Sequence, residues 1–350
     1  MTRLGRNNMS APIKSVERLS KTKTVTSPFR KIHNNKISSL NLREKCFRSF
    51  GDKISLKKRY INDLMLEIEI PDFSLHELQL SVTNYLTKSA QTEEVVNSEK
   101  DLIELLERET LQNMTPNGSV IGKNSNSLEY NLLAVSYIKL LRSLGVDSEI
   151  DKIHFPFNVR VKHSQVSDNH LKRNHPTEFM HSDAWTGAAP SWVAIHIFLF
   201  GDIDKNYIRY AYPPEGFQEE WLSPKLKSRD HQHLMQNIKL VDYKPRKGCM
   251  ILADNSVFHQ SFREDGAGTR VSIDSGVDIF SKELMKNTFS RDVQLLGKNV
   301  YSIRSKEEFS KETIFNIGKK FYFHFPDDFS FKVEKESGFS HAARPKLIKL

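Results

Sequence analysis

Two cysteines in 350 residues, Cys46 and Cys249, leave no framework for a disulfide-stapled scaffold. One falls in the N-terminal leader and the other in an expected core strand, so a reducing compartment fits, and the expectation is cytoplasmic. No apolar run approaches 18 residues, and the N-terminus lacks the apolar core of a secretory signal, which argues against a membrane span or export. Acids are scarce at one end. Residues 1–60 contain three, Glu17, Glu44 and Asp52, against 16 Lys and Arg, a formal charge of +13. The whole chain carries +9, so the remaining 290 residues carry −4, and the pI of about 9.3 describes the leader and not the rest. Such a leader suits nucleic acid or an acidic surface as a partner. It has none of the aromatic interleaving with Arg and Lys that reads single-stranded nucleic acid. No internal repeat is present.

What is there divides into four spans. Residues 1–60 read as a basic, poorly ordered leader. Residues 61–150 read as a helical segment: Leu75, Leu78, Val82 and Leu86 recur at helical spacing, as do Leu102, Leu105 and Leu106. A third helix spans about 128–144, with Gly145 placed to end it. From Phe155 the pattern changes to short apolar and alternating runs at 157–161, 193–200, 207–212, 238–243, 250–253, 257–262 and 270–277. Several short strands with turn signals predict a β-sandwich or barrel over 151–280, with the helices covering one sheet. Residues 281–350 read as a C-terminal extension packing on that core through an aromatic series, Phe321, Tyr322, Phe323, Phe325, Phe329 and Phe331.

The chemistry-bearing stretch is HSDAWTG, in which His181 and Asp183 are two residues apart, followed by the distal His259 in CMILADNSVFHQSF. Two imidazoles and one carboxylate, leaving positions open, are the donor set of a facial non-haem Fe(II) site. On an extended segment residues i and i+2 share a side, so the pair could grip one ion together. His259 would arrive from a neighbouring strand. The pair alone proves little, because 13 His and 19 Asp in 350 residues give roughly 0.7 such pairs by chance. Eleven residues after His259, Arg270, Ser272 and Asp274 alternate with Val271 and Ile273, placing the arginine and serine on one face and the apolar pair on the other.

With these residues together, the sequence resembles the Fe(II)- and 2-oxoglutarate-dependent dioxygenase superfamily over about 155–280, and more loosely its bacterial small-molecule hydroxylase-like members. The resemblance implies a mainly β fold with flanking helices, built on a double-stranded β-helix, the cupin-like jelly-roll core. It implies that His181, Asp183 and His259 bind iron and form the catalytic centre. It also implies that Arg270, with Ser272, holds the distal carboxylate of the cosubstrate 2-oxoglutarate. The implied reaction uses O2, releases succinate and CO2, and hydroxylates a small-molecule substrate. Desaturation, cyclisation and demethylation share the same centre, whereas the aspartate argues against the halogenating branch.

Other assignments remain open at this point. A histidine in a strand is more often a hydrogen-bonded core residue than a ligand. His196 in VAIHIFLF lies on the face opposite Val193, Ile195, Ile197 and Leu199, where it either lines a pocket or is a satisfied core histidine. His231 and His233 form a rival pair in a polar stretch that reads as solvated. Residues 163–178 read as a lid, and 213–236 as an insert that selects substrate. Two further alternatives are the same chemistry on a macromolecule docked by the leader, and a non-catalytic jelly-roll binding protein.

Overall fold

β6 (Trp192–Gly201) and β10 (Arg270–Ile279) form the longest ladder, antiparallel, with Ile273 opposite Ile197 and Asp274 opposite His196. Nearly every residue of both strands is buried, because each face is covered by a different layer. In this computed structural model the described residues are 39–111, 114–166, 171, 175–186, 188–189, 191–223, 233–279, 308–325, 332–333, 340–341 and 345–350. All fall in one unit running from Ile37 to Leu350.

The chain opens with α1 (Ser39–Asp52), β1 (Lys58–Asn62) and β2 (Met65–Glu69), then α2 (Asp72–Ser89) and α3 (Glu99–Arg108). After β3 (Ser119–Val120) comes α4 (Ser127–Ser143), then β4 (Ile150–His154) and β5 (Asn158–Lys162). Beyond β6 lie β7 (Asn206–Ala211), β8 (Cys249–Asp254), β9 (Phe258–Arg263) and β10. The C-terminal part supplies β11 (Glu308–Ser310), α5 (Lys311–Ile314), β12 (Phe321–His324), β13 (Lys332–Val333), β14 (Ser340–His341) and β15 (Lys346–Lys349).

The described strands include a nine-stranded antiparallel sheet ordered β1-β2-β8-β6-β10-β4-β11, with β5 sharing the β4 edge of β10 and β3 pairing outside β5. Opposite it lies a second ladder, β7 with β9, widened by bridges from Leu240 to Ala211 and from His181 to His259. The fold is mainly β with flanking helices on a jelly-roll core, and the described strands form no closed barrel. One sheet face carries Val193, Ile195, Ile197, Leu199, Val271 and Ile273, which pack with Leu78, Val82 and Leu86 of α2 and Leu133, Tyr137 and Leu140 of α4. Fully burying each such side chain is worth roughly 1.5–3 kcal/mol. Helix signals are local. Ser98 and Asp101 form a reciprocal capping box at α3, and Gly145, at φ +72°, ends α4 in the left-handed region.

The structure departs from the sequence reading in several places. Residues 39–60, assigned to the leader, contain α1 and β1, and Phe47 and Phe50 enter the main core. Basic residues masked this: Arg43 is wholly buried, its Nε and Nη2 donating to Glu219 at 2.7 Å each and its Nη1 to Asp254 at 3.2 Å. Residues 61–150 open on strands, and β2 is the direct neighbour of β8. The 238–243 run forms only the Leu240 bridge. Phe323 and Phe325 are buried, whereas Phe329, Phe331 and residues 1–38 lie outside the described residues.

Arg43 joins α1, the end of β8 and the 213–236 segment in one buried ion cluster. Arg43→Ala leaves two carboxylates without their cation and is expected to cost on the order of 3–5 kcal/mol. Chemical denaturation reads this directly, and an unchanged midpoint would show that the cluster is not structural.

Candidate active site

The geometry of the site begins with a backbone pair. His181 N donates to His259 O at 3.0 Å and His259 N to His181 O at 2.9 Å. Residues that exchange both bonds lie directly opposite in an antiparallel pair and send their side chains to the same side. The two imidazole centroids are therefore 4.4 Å apart. Asp183 reaches the same point differently from the extended geometry expected. The chain leaves the bridge and turns into a short 3-10 segment, Asp183–Thr186, held by Ser182 Oγ donating to Asn255 O at 2.7 Å and accepting from Ala184 N at 3.1 Å. One donor atom from each of His181, Asp183 and His259 lies within 4.8 Å of the others.

Hydrogen bonds prepare these donors. His181 Nδ1 bonds the Phe179 carbonyl at 2.8 Å, and His259 bonds the Val257 carbonyl. With Nδ1–H of His181 donated to a carbonyl, its Nε2 lone pair is the free one. Trp192 Nε1 donates to Asp183 Oδ2 at 3.3 Å, leaving Oδ1 unengaged by that bond. The indole lies flat on Gly276, where a Cβ would come within 2.0 Å of Cζ2, so β10 has glycine at the point of closest approach. Burial first, and then the neighbouring His259 charge, push His181 down to about 3. Burial likewise pushes His259 down to about 4, against the pull of Asp183. Both rings are neutral at working pH.

The cleft is walled by the two facing sheets. The large sheet contributes His154, Asn158, Arg160, Trp192, His196 and Asp274, the small one Ile208, His259 and Ser261. His196 satisfies both descriptions offered by the sequence: it lines the cleft, and its Nδ1 bonds Tyr210 Oη at 2.9 Å. Lys162 Nζ donates to Thr177 Oγ1 at 2.6 Å and Glu178 Oε1 at 3.2 Å, and Arg263 Nη1 donates to the same Glu178 oxygen at 3.1 Å. This buried cluster ties the end of the 163–178 segment to β5 and β9, and burial lowers the Lys162 pKa to about 7. Residues 167–170 and 172–174 of that segment are outside the described residues, as are 224–232 of the insert and with them His231; His233 is exposed.

Arg270 and Ser272 are fully buried on the same face of β10 as Asp274. Arg270 is not among the cleft-lining residues. Its guanidinium extends toward the row of Ser272, with Cζ 5.5 Å from the ring of Phe198, the residue opposite Ser272. Its Nε, Nη1 and Nη2 are all buried with no hydrogen-bond partner among the described residues. Burial lowers its pKa to about 10, which leaves it charged near neutrality. Ser272 Oγ donates to Asp274 Oδ1 at 3.4 Å, a weak bond.

The sequence reading passed over Arg160 and Trp192, and named Asp274 in the β10 alternation without giving it a role. Arg160 and Asp274 had a signal, since NVRVK alternates Asn158, Arg160 and Lys162 with Val159 and Val161 just as RVSID alternates around Val271 and Ile273. Trp192 had none, because its role depends on a turn that brings Asp183 back over β10.

No protein-family model matches this sequence, and no curated protein matches it. Solved structures are similar at low identity. The non-heme alpha ketoglutarate dependent epimerase SnoN from nogalamycin biosynthesis is 12% identical over 67% of this chain and 81% of its own, with a TM-score of 0.35. EctD from S. alaskensis, solved with 2-oxoglutarate and 5-hydroxyectoine, is 14% identical over 70% and 78%, with a TM-score of 0.36. An N-substituted L-amino acid dioxygenase from Burkholderia ambifaria AMMD is 14% identical over 62% and 86%, with a TM-score of 0.30. At such scores these are partial superpositions, and the chemistry of this chain is read from its own atoms.

Proposed function

We propose that this chain is an Fe(II)- and 2-oxoglutarate-dependent oxygenase that hydroxylates a small molecule, consuming O2 and releasing succinate and CO2. One observation carries the proposal. A His/Asp/His donor set whose histidines are buried shares its sheet interior with a fully buried arginine whose three guanidinium nitrogens have no hydrogen-bond partner among the described residues. A metal protein without an anionic cosubstrate has no use for that arginine, and a purely structural arginine would be paired, because an isolated buried charge is costly.

The donors fit the metal. His181 and His259 are neutral, each with a ring nitrogen engaged by a backbone carbonyl, and Asp183 supplies the carboxylate, the hard-and-intermediate set that suits non-haem iron and leaves positions open. Fe(II) held there, with 2-oxoglutarate and O2, supplies an oxidant strong enough to remove hydrogen from an unactivated carbon. The chain's own residues do the rest. Phe179 and Val257 carbonyls hold the imidazoles in one tautomer, and Trp192 holds the carboxylate in one orientation. Arg270 offers a planar fork that matches a carboxylate bidentately. Among the described residues no helix is long and apolar enough to cross a membrane.

His181→Ala, Asp183→Ala and His259→Ala are each expected to abolish Fe(II) binding and succinate release. Trp192→Phe, which removes the hydrogen bond to Asp183, should weaken metal binding by about 10- to 100-fold. Calorimetry with Mn(II) as an air-stable probe separates the two effects, and metal retention by all three alanine variants would place the site elsewhere.

Arg270→Ala is expected to raise the dissociation constant of 2-oxoglutarate by about 10- to 1,000-fold, the discounted value of a desolvated pair. Arg270→Lys should recover part of it, keeping the charge and losing the fork. Ser272→Ala should cost about 1 kcal/mol. Equal affinity across wild type and variants would remove Arg270 from the cosubstrate site.

The metal-free protein should lose stability in acid through its histidines. The unfolded chain protonates them near 6.5, whereas the folded one resists until about 4 for His259 and about 3 for His181. Stability therefore falls as pH drops from about 6.5 toward 4, since the unfolded state binds more protons there. His181→Gln and His259→Gln should flatten that slope in thermal melts, and an unaltered slope would show that other groups set it.

A further inference from the structure

Asp274 stands in an unexpected relation to Arg270. It lies four residues along on the same face of β10, and of the charged groups around Arg270 it acts most strongly to hold the guanidinium charged. A buried guanidinium ordinarily takes such a carboxylate as its partner. No hydrogen bond joins the two. Asp274 Oδ2 accepts instead from Arg160 Nε, and Asp274 Oδ1 accepts weakly from Ser272 Oγ at 3.4 Å. Register explains the choice. Arg160 on β5 is directly opposite Ser272, so it occupies the row between Arg270 and Asp274 on the same sheet face. Its own Nη1 is anchored on the Asn117 carbonyl at 3.2 Å, beside β3. Each arginine thus faces the one carboxylate, and Arg160 alone engages it.

We infer that Arg160 is a positioning residue that captures Asp274 and so reserves Arg270 for the carboxylate of a dicarboxylic ligand. The identity of that ligand as 2-oxoglutarate rests on the function proposed above. The effect is one of competition. A ligand carboxylate can reach Arg270 only in molecules where Asp274 is held elsewhere, and its apparent dissociation constant scales inversely with that fraction. Without Arg160, Asp274 is a half-buried carboxylate on the same strand face as a buried guanidinium that has no hydrogen-bond partner among the described residues, and their pairing closes the site from within. Arg160 also lines the cleft, so direct contact with the ligand is the alternative that the test must exclude.

The experiment is calorimetric titration of 2-oxoglutarate into the anaerobic Fe(II)-loaded protein, with thermal melting of each variant as a folding control. Arg160→Met should weaken binding about tenfold or more, corresponding to pairing of Asp274 with Arg270 in about nine molecules of ten. Asp274→Asn should bind at least as tightly as wild type, because the competing charge is gone. The double variant should return to within about threefold of wild type, since the two changes act on one pair and cannot be additive. A double variant as weak as Arg160→Met would mean that Arg160 grips the ligand itself, and an Arg160→Met protein with wild-type affinity would mean that it does neither. Either outcome overturns the role. If Arg160→Met does not fold, weakened binding by Asp274→Asn or by the double variant overturns it equally. Absence of 2-oxoglutarate binding by the wild type overturns the cosubstrate assignment as well, which separates the two failures.

Discussion

The antiparallel register of β10 against β6 decides what every other part of the molecule can do. With period-2 alternation, fixing Ile273 opposite Ile197 sends that row to the helices and commits Arg270, Ser272, Asp274, His196 and Phe198 to the other face. A slip of one residue would put the charged row under α2 and α4 and the valines into the cleft. The apolar packing of α2 and α4 therefore guards the register, and stability and site geometry come from one constraint. The ladder shifts register once, between Val271 and Ser272, and glycine at 276, against the indole of Trp192, lets the inner layer approach β10 closely enough to hold Asp183.

Charge in the interior is arranged by the same strands. Arg160, Lys162 and Arg270 all belong to the β5–β10 ladder, with Arg263 reaching in from β9, while Asp274 and Glu178 are the nearby carboxylates that answer them. Each carboxylate is used: Glu178 by Lys162 and Arg263, Asp274 by Arg160. Arg270 is left without a hydrogen-bond partner among the described residues. On the proposed function the carboxylate of the cosubstrate is that missing partner.

The loop from Thr177 to Thr186 carries two of the three clustered residues His181, Asp183 and His259, and forms no strand beyond the His181 bridge. Its accuracy comes from both ends. Lys162 and Arg263 fix Glu178, Ser261 N bonds the Thr177 carbonyl at 2.7 Å, and Ser182 is locked to Asn255. At the far side of the same region, Arg43 ties α1 to Glu219 and Asp254, and Trp221 O accepts from Trp185 Nε1 at 2.7 Å. A helix read as part of a solvated leader is thereby a structural member of the wall behind the site.

Local pattern alone determined much of this protein. Helical spacing located α2, α3 and α4, alternation located β5 through β10, and the spacing of His181, Asp183, His259 and Arg270 selected residues that the fold brings to one interior. These are properties of a few neighbouring side chains, which is why a sequence displays them. Tertiary structure decided the rest. Only packing shows that Arg43 is buried, because a lysine- and arginine-rich stretch looks solvated until two distant carboxylates close on one guanidinium. Only the turn after His181 puts Asp183 beside it, since an extended chain and a 3-10 turn are equally compatible with the letters. Which arginine Asp274 would choose is likewise absent from the sequence, because it depends on cross-strand register between segments more than a hundred residues apart.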